Sequence, residues 1–260
     1  PSLAFVGLNN YILNNSFAPG KVISSFANSS LKWEKSDQLD LGFDLATFNN
    51  KLTFTFEYYR KLTNDMLLPV SIPAVSGFTT SLDNIGQVEN KGIEVQFNVT
   101  PVKTNNFAWD INVNWSKNEN KVIALNGDSQ NYLMASYQGG VSLNARVGES
   151  FGALVGSDYV YNANGDRVID PATGRYLRNN NQVIGNITPD WVGGIRNSFR
   201  YKDFTVSFLI DVKKGGDVFS TDMYYGLATG LYAETADYRE GGFVHPGVNP
   251  NGNVNTTPAI

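Results

Sequence analysis

The sequence predicts an all-β fold, an antiparallel transmembrane β-barrel segment with long extracellular loops. Three observations carry that expectation. Apolar and polar residues alternate with period two over long stretches, the stretches fall into pairs joined by short turns, and the pairs are separated by much longer connections. Period-two alternation marks a strand with one apolar face. Strands of about ten alternating residues exceed the ~5–6 of an average soluble strand and suit a tilted crossing of a hydrocarbon core.

The first hairpin is expected at 36–48 and 51–62. Leu39, Leu41, Phe43 and Leu45 share one face, with Asp40, Gly42, Asp44 and Ala46 on the other. Asn49-Asn50 reads as a two-residue turn, because Asn tolerates positive φ. Leu52, Phe54, Phe56 and Tyr58 then alternate with Thr53, Thr55, Glu57 and Tyr59. The second hairpin is expected at 88–100 and 106–118. Ile93, Val95, Phe97 and Val99 oppose Glu94, Gln96, Asn98 and Thr100; Phe107, Trp109, Ile111, Val113 and Trp115 oppose Ala108, Asp110, Asn112, Asn114 and Ser116. The third is expected at 190–201 and 203–213. Trp191, Gly193, Ile195, Phe199 and Tyr201 share one parity, and Phe204, Val206, Phe208, Ile210 and Val212 follow after the Lys202-Asp203 turn. No convincing amphipathic helix stands out.

Segments 1–30, 63–87, 120–189 and 214–260 are left as long loops. Loops beyond ~15 residues are uncommon in compact domains and usually functional. Short turns at one end and long loops at the other match the short periplasmic turns and long extracellular loops of outer-membrane barrels. Six strands are too few to close a lumen-bearing barrel, and Pro1-Ser2-Leu3 is an abrupt opening. The expectation is therefore a piece of a longer chain.

Composition narrows the function. Of 260 residues, 42% are hydrophobic and only 17% charged, against ~25% charged in soluble domains. The net charge of −4 and the lack of a basic stripe argue against nucleic acid. The chain has no cysteine, which excludes disulfides, thiolate metal sites and cysteine nucleophiles. Its single histidine, His245, lies in GGFVHPGVNPNGN, a stretch that reads as a mobile loop. No apolar run approaches the ~20 residues of a membrane helix, but barrel strands hide their lipid face in alternation. The polar faces, rich in Asp, Asn and small residues, suit a wet lumen. The apolar faces end in Tyr58, Trp109, Trp115, Trp191 and Tyr201, expected as membrane-interface aromatics.

Several motifs have a chemical reading and a plainer one. Gly148-Glu149-Ser150-Phe151-Gly152 has the G-x-S-x-G spacing of a nucleophile elbow, which requires a following helix and a histidine; a turn at a loop edge is preferred. Asn162-Ala163-Asn164-Gly165-Asp166 suggests a calcium loop, but Gly165 and Thr173 fall where the ligand pattern fails, so an Asn-Gly turn is preferred. Asp40 and Asp44 share a face roughly 13 Å apart by strand rise, beyond the ~6.5–9.5 Å of paired glycosidase carboxylates. Tyr132, Tyr137, Asp158, Tyr159, Tyr161 and Tyr176 gather in the longest loop. Flat rings with amide and carboxylate neighbours suit sugar binding, and these are the candidate ligand-loop residues. No metal, no cofactor and no enzymatic activity are expected.

Leu31-Lys32-Trp33-Glu34-Lys35 resembles the NPNLKWE element of the SusC/RagA-like TonB-linked outer-membrane transporters of Bacteroidota, with Ser29-Ser30 replacing the usual Asn-Pro. Phe56–Thr63 resembles the family's DYYxKxT strand end, followed by Asp65-Met66-Leu67-Leu68. Ser76-Gly77-Phe78 and Asn84–Glu94 resemble the NxGxxxNKGxE region, Gly148–Gly152 the GxSxG element, and Ile184–Trp191 the GxxxPDW element. The resemblance spans roughly 30–216, with the motifs in family order. It implies a barrel of about 22 strands with a plugged lumen, the plug and TonB-contacting segment lying upstream. It also implies an outer-membrane location, TonB as a partner, a SusD-like surface lipoprotein, and import of an oligosaccharide or other glycan, or of a peptide. The alternatives are a soluble carbohydrate-binding β-sandwich module, whose apolar faces would pack into one core, and a surface-loop adhesin or receptor in which transport is secondary.

Overall fold

The computed structural model describes residues 6–13 and 16–259. Its strands, in chain order, are β1 (Val6–Leu13), β2 (Ser16–Ile23), β3 (Lys35–Thr47), β4 (Leu52–Ser71), β5 (Thr80–Lys103), β6 (Phe107–Leu125), β7 (Asn131–Ser136), β8 (Ser142–Arg146), β9 (Phe151–Tyr159), β10 (Arg178–Asn186), β11 (Pro189–Tyr201) and β12 (Phe204–Gly215), followed by the helix α1 (Thr221–Ala228). The chain divides into two units. One takes the chain up to Asn131 with Arg146–Phe151 and Asp190–Lys213; the other takes Tyr132–Ala145, Gly152–Pro189 and the chain from Lys214.

The first unit is dominated by a six-stranded sheet of order β12-β11-β6-β5-β4-β3. These are the six strands expected from the alternation. Register aligns the apolar residues across the sheet: Phe43, Phe56, Val95, Trp115 and Gly193 form one rung, and Leu45, Phe54, Phe97, Val113 and Ile195 another. The intervening rungs are polar. Asp44, Thr55, Gln96, Asn114 and Gly194 form one, and Ala46, Thr53, Asn98, Asn112 and Arg196 the next. A one-residue slip would turn every apolar side chain to the polar face, so the pattern itself fixes the pairing.

The apolar rungs are not a core. Leu41 is 57%, Phe43 56% and Val206 66% exposed. A β-sandwich would bury these residues against a second sheet, and the sandwich reading fails on that point.

Pairing runs further than the alternation. Segment 63–87, expected as a loop, is mostly strand: β4 continues to Ser71 and β5 begins at Thr80, leaving only 72–79 between them. The apolar period is lost because the register shifts between Thr63 and Met66, with Asp65 at a φ of 55°. Side chains repair the backbone there. Asn84 Nδ2 donates to Asp65 O at 2.6 Å and to Lys32 O at 3.0 Å, while its Oδ1 accepts from Lys32 N at 2.8 Å. Glu34 accepts from Leu67 N at 2.7 Å. The Leu31–Lys35 and Asn84–Glu94 motifs thus meet through hydrogen bonds. A second shift, between Val99 and Val102, holds Pro101, a residue with no N–H to give to a ladder.

Four other expectations change. The first hairpin turn is four residues, not two: Thr47 pairs with Leu52, and Phe48, Asn49 and Asn50 all take positive φ. The lead-in 1–30 contains the β1–β2 hairpin. Segment 120–189 carries a four-stranded sheet of order β10-β9-β8-β7, with buried Val141, Ala145, Ala153, Leu154 and Val155. Its strands are short and interrupted by bulges, such as that between Asn179 and Gln182, so no clean period marks them. Segment 214–260 includes α1, capped by Ser220 accepting from Met223 N at 3.2 Å. Only eight residues long, α1 is too short to print a clear helical period.

Gly92 lies on the polar face between Tyr59 and Asn118. A Cβ there would sit 2.5 Å from both Lys117 O and Tyr59 Oη. The Tyr59 ring lies over the glycine and donates to Asn118 Oδ1 at 3.0 Å, so an aromatic ring packs where a side chain is missing. Gly92→Ala should destabilise the sheet by about 1–3 kcal/mol through overpacking. It should lower the temperature at which the full-length protein loses its compact, fast-migrating form on an unheated detergent gel. Unchanged melting would show that the ring does not cover Gly92.

Candidate functional site

The polar face of the six-stranded sheet is a hydrogen-bonded surface built from short side chains. Thr55 donates to Asp44 at 2.6 Å, Thr100 to Asp110 at 2.6 Å, and Asn98 to Thr53 at 3.0 Å. Asn112 donates to Asn98, and Asn120 to Asn90 at 2.8 Å. A hollow of about 370 Å³ is lined by Asn98, Thr100, Asp110, Asn112, Arg196 and Ser198. A second, of about 240 Å³, is lined by Glu57, Glu94, Gln96 and Asn114. Asp40 accepts from Gln38 Nε2 through both oxygens, at 2.9 and 3.0 Å. Asp40 and Asp44 are thus each engaged by a neutral donor.

On the apolar face, Tyr58, Ile93 and Lys117 share a rung beside Leu41. Trp191 lies at the same level, since Val192 pairs with Ser116. Trp109 and Tyr201 lie near the short-turn end, Trp109 stacked on Phe199 at 5.6 Å and donating to Asn197 Oδ1 at 3.2 Å. Trp115 sits one rung inside the Tyr58 level, beside Gly193.

The second unit gathers three of the tyrosines. Tyr159 and Tyr176 meet edge to face at 4.7 Å, and Tyr161 lies 6.5 Å from Tyr159. The turn between Tyr161 and Arg167 brings Arg167 back over them, 4.5 Å from the Tyr159 ring and 5.6 Å from Tyr176. Asn162 makes the turn itself, its Oδ1 accepting from Asn164 N and Asp166 N, each at 2.9 Å. Tyr176 donates to Pro246 O at 3.0 Å and packs on His245 at 4.7 Å; Phe243 meets the His245 ring edge to face at 5.0 Å. Asp158 accepts from Tyr159 N at 2.7 Å. Tyr132 and Tyr137 belong to β7 and the turn after it, at the opposite edge of the sheet from β10.

Arg167, Phe243 and His245 were not legible as members of this cluster. The stretch around His245, read as a mobile loop, is fastened. Phe243 bridges Ala259, Val248 bridges Val168, and Asn255 Nδ2 donates to His245 O at 3.1 Å. Aromatic residues flanking a Pro-Gly turn were the available signal. The G-x-S-x-G segment ends in β9 rather than a helix, and Glu149 O and Gly148 N clamp Val122 at 2.8 and 2.9 Å; it is a turn. Gly152 O accepts from Ile187 N at 3.4 Å, so the Gly148–Gly152 and Ile184–Trp191 motifs touch.

Comparisons with known proteins converge. A family model described as TonB dependent receptor-like, beta-barrel matches residues 4–243. TonB-dependent receptor P3 of Formosa agariphila is 33% identical over 243 residues, covering 84% of this chain and 24% of that protein. TonB-dependent receptor SusC of Bacteroides thetaiotaomicron is 30% identical over 225 residues, covering 78% of this chain and 22% of that protein. The solved RagAB peptide transporter shares the fold, with a TM-score of 0.64 at 22% identity over 80% of this chain and 24% of the matched one. The chain therefore spans about a quarter of the length of the curated relatives it matches.

His245 yields a pH dependence. Burial holds its pKa below the ordinary 6.5, with Tyr176 and Phe243 against the ring and the Arg167 cation over the Tyr176 ring. The unfolded segment thus takes up a proton before the folded one does. The packing contribution is full above pH 6.5 and falls as pH drops through the lower folded value. Amide exchange at Val248 and Asn255, corrected for intrinsic rate, should speed up as pH falls from 6.5 towards that lower value and then level off, and His245→Phe should remove the acid effect. Equal acceleration in both proteins would exclude His245 as the cause.

Proposed function

The chain belongs to the TonB-dependent receptor-like β-barrel family, an outer-membrane family, and from that premise we propose that the full-length protein imports a nutrient through a TonB-driven barrel. The observation that supports the reading most is the two-faced sheet, with continuous apolar rungs alternating with an Asn, Asp and Thr lattice. A wall between lipid and a wet lumen needs both faces. The relatives bear receptor names, and no catalytic step is assigned.

The aromatic levels fit a bilayer. Trp191 and Tyr201 on β11 are separated by roughly 33 Å of strand rise, or about 25 Å in height at the usual tilt, the height of an outer-membrane apolar band. Tyr58, Lys117 and Trp191 would mark the extracellular interface, and Trp109 and Tyr201 the periplasmic one. Trp115 lies one rung inside and fills the space beside Gly193.

The second unit is proposed to face ligand and a SusD-like lipoprotein. Tyr159 and Tyr176 are occupied by each other and by Arg167, so they position the loop, with Asp158 holding the Tyr159 backbone. Tyr161, 48% exposed, and Tyr137 present open rings, while Tyr132 supports β7. The substrate proposed is an oligosaccharide or other glycan, with a peptide as the alternative suggested by the likeness to the RagAB peptide transporter. In cells carrying only the full-length receptor, uptake of the true substrate should require TonB. The Tyr137→Ala/Tyr161→Ala double variant should bind that substrate about tenfold more weakly, near 1.4 kcal/mol, at unchanged surface abundance. Uptake that persists without TonB would reject the import reading; full affinity in the variant would reject these rings.

A further inference from the structure

The apolar face does not end abruptly at the Tyr58 level. The next rung on the same face is Leu39, Arg60, Lys91 and Glu119, and the one beyond is Asp37, Leu62, Glu89 and Lys121. Ion pairs confirm that these side chains share a face. Arg60 Nε donates to Glu89 at 2.6 Å, Lys91 reaches Glu119 at 3.1 Å, and Lys117 reaches Glu119 at 3.3 Å. Arg60, Lys91, Lys117 and Lys121 are all exposed. Against Glu89 and Glu119 they leave two positive charges in excess, while Lys35 and Asp37 at the β3 edge cancel. The chain as a whole carries −4, so this is a local concentration of the opposite sign.

We infer that Lys91, Lys117 and Lys121 form a binding site for the phosphorylated headgroup of an outer-leaflet glycolipid, seated on the extracellular rim of the apolar band. The inference rests on the membrane level proposed above. Two residues along a strand are about 6–7 Å, so the cations begin at the interface rung and extend one to two rungs into the headgroup zone. Lys117 stands on the Tyr58 rung itself, where a long aliphatic stem can lie against chains while its ammonium reaches outward. The shared Glu119 holds Lys91 and Lys117 side by side without neutralising both. Lys121 makes no ion pair among the described residues and is the open donor of the group. Basic clusters beside a membrane-embedded surface recognise anionic headgroups. Continuity with the apolar rungs favours a lipid, whose acyl chains would lie over Ile93, Val95 and Trp115 while its phosphate meets the lysines.

The test uses the full-length receptor, delipidated in detergent, with three probes: lipid A, dephosphorylated lipid A and inorganic phosphate. Native mass spectrometry should retain lipid A at least about tenfold more tightly than its dephosphorylated form. Lys91→Gln/Lys117→Gln/Lys121→Gln should erase that preference; if the triple variant does not fold, Lys121→Gln alone should weaken it. Equal retention of both lipids, an unaffected preference in the variants, or equal occupancy by inorganic phosphate would overturn the proposal. Quenching by brominated acyl chains, read as the difference between wild type and Trp191→Phe, separates the membrane level from the lysine site. Absent quenching places the fault in the membrane level. Quenching without phosphate preference places it in the lysine site.

Discussion

A backbone amide facing hydrocarbon has no water to bond, and an unsatisfied one costs several kcal/mol. The rest of the sheet depends on that constraint. Within the apolar band it keeps every strand of the sheet paired to its neighbours; past the Tyr58 level β4 and β5 stay paired through the register shift at Asp65, where side chains take over. There the Asn84 amide takes both sides of Lys32 and the carbonyl of Asp65, and Glu34 takes the amide of Leu67. The constraint also accounts for Pro101, which sits where the ladder already skips a residue. Interruptions are tolerated where another group closes the hydrogen bond.

The two faces then follow from solvent. The apolar rungs do not pack into a core and remain exposed. The polar rungs are rich in Asn, Thr and Asp, which bond across strands at short reach, with Glu57, Glu94 and Arg196 set among them. Gly92 belongs to this logic: the missing side chain lets Tyr59 lie flat and reach Asn118. The family motifs become physical in the same way. Leu31–Lys35 is a docking partner for Asn84, and Gly152 receives the backbone of Ile187.

The strands of the sheet were legible because register and solvent act on every second residue, as at Leu39–Leu45 and Ile93–Val99. The turn at Phe48–Lys51 was not, because Phe48 accepts a left-handed conformation that its side chain disfavours. The upper halves of β4 and β5 were hidden by the Asp65 shift, which breaks the period without breaking the pairing. In the second unit the tyrosines were visible as a group, but their arrangement was not. Arg167 and His245 enter the cluster through turns set by Asn162 and Asn255, and a short Asx turn leaves no periodic trace. The pairing of Lys91 and Lys117 around Glu119 likewise needed the register, since sequence separation alone does not place Lys91 opposite Glu119.

Which face of the sheet meets lipid decides the rest. Single cysteines can be placed along β12 of a full-length protein cleared of any other cysteine, at Val206, Ser207, Phe208, Ile210 and Asp211. Spin labels at these sites, in bilayers, report depth through collisions with oxygen and with a water-soluble nickel complex. High oxygen and low nickel accessibility at 206, 208 and 210, with the reverse at 207 and 211, is the expected result for an apolar face in lipid. Accessibility without that alternation, or nickel contact on both faces, would contradict it.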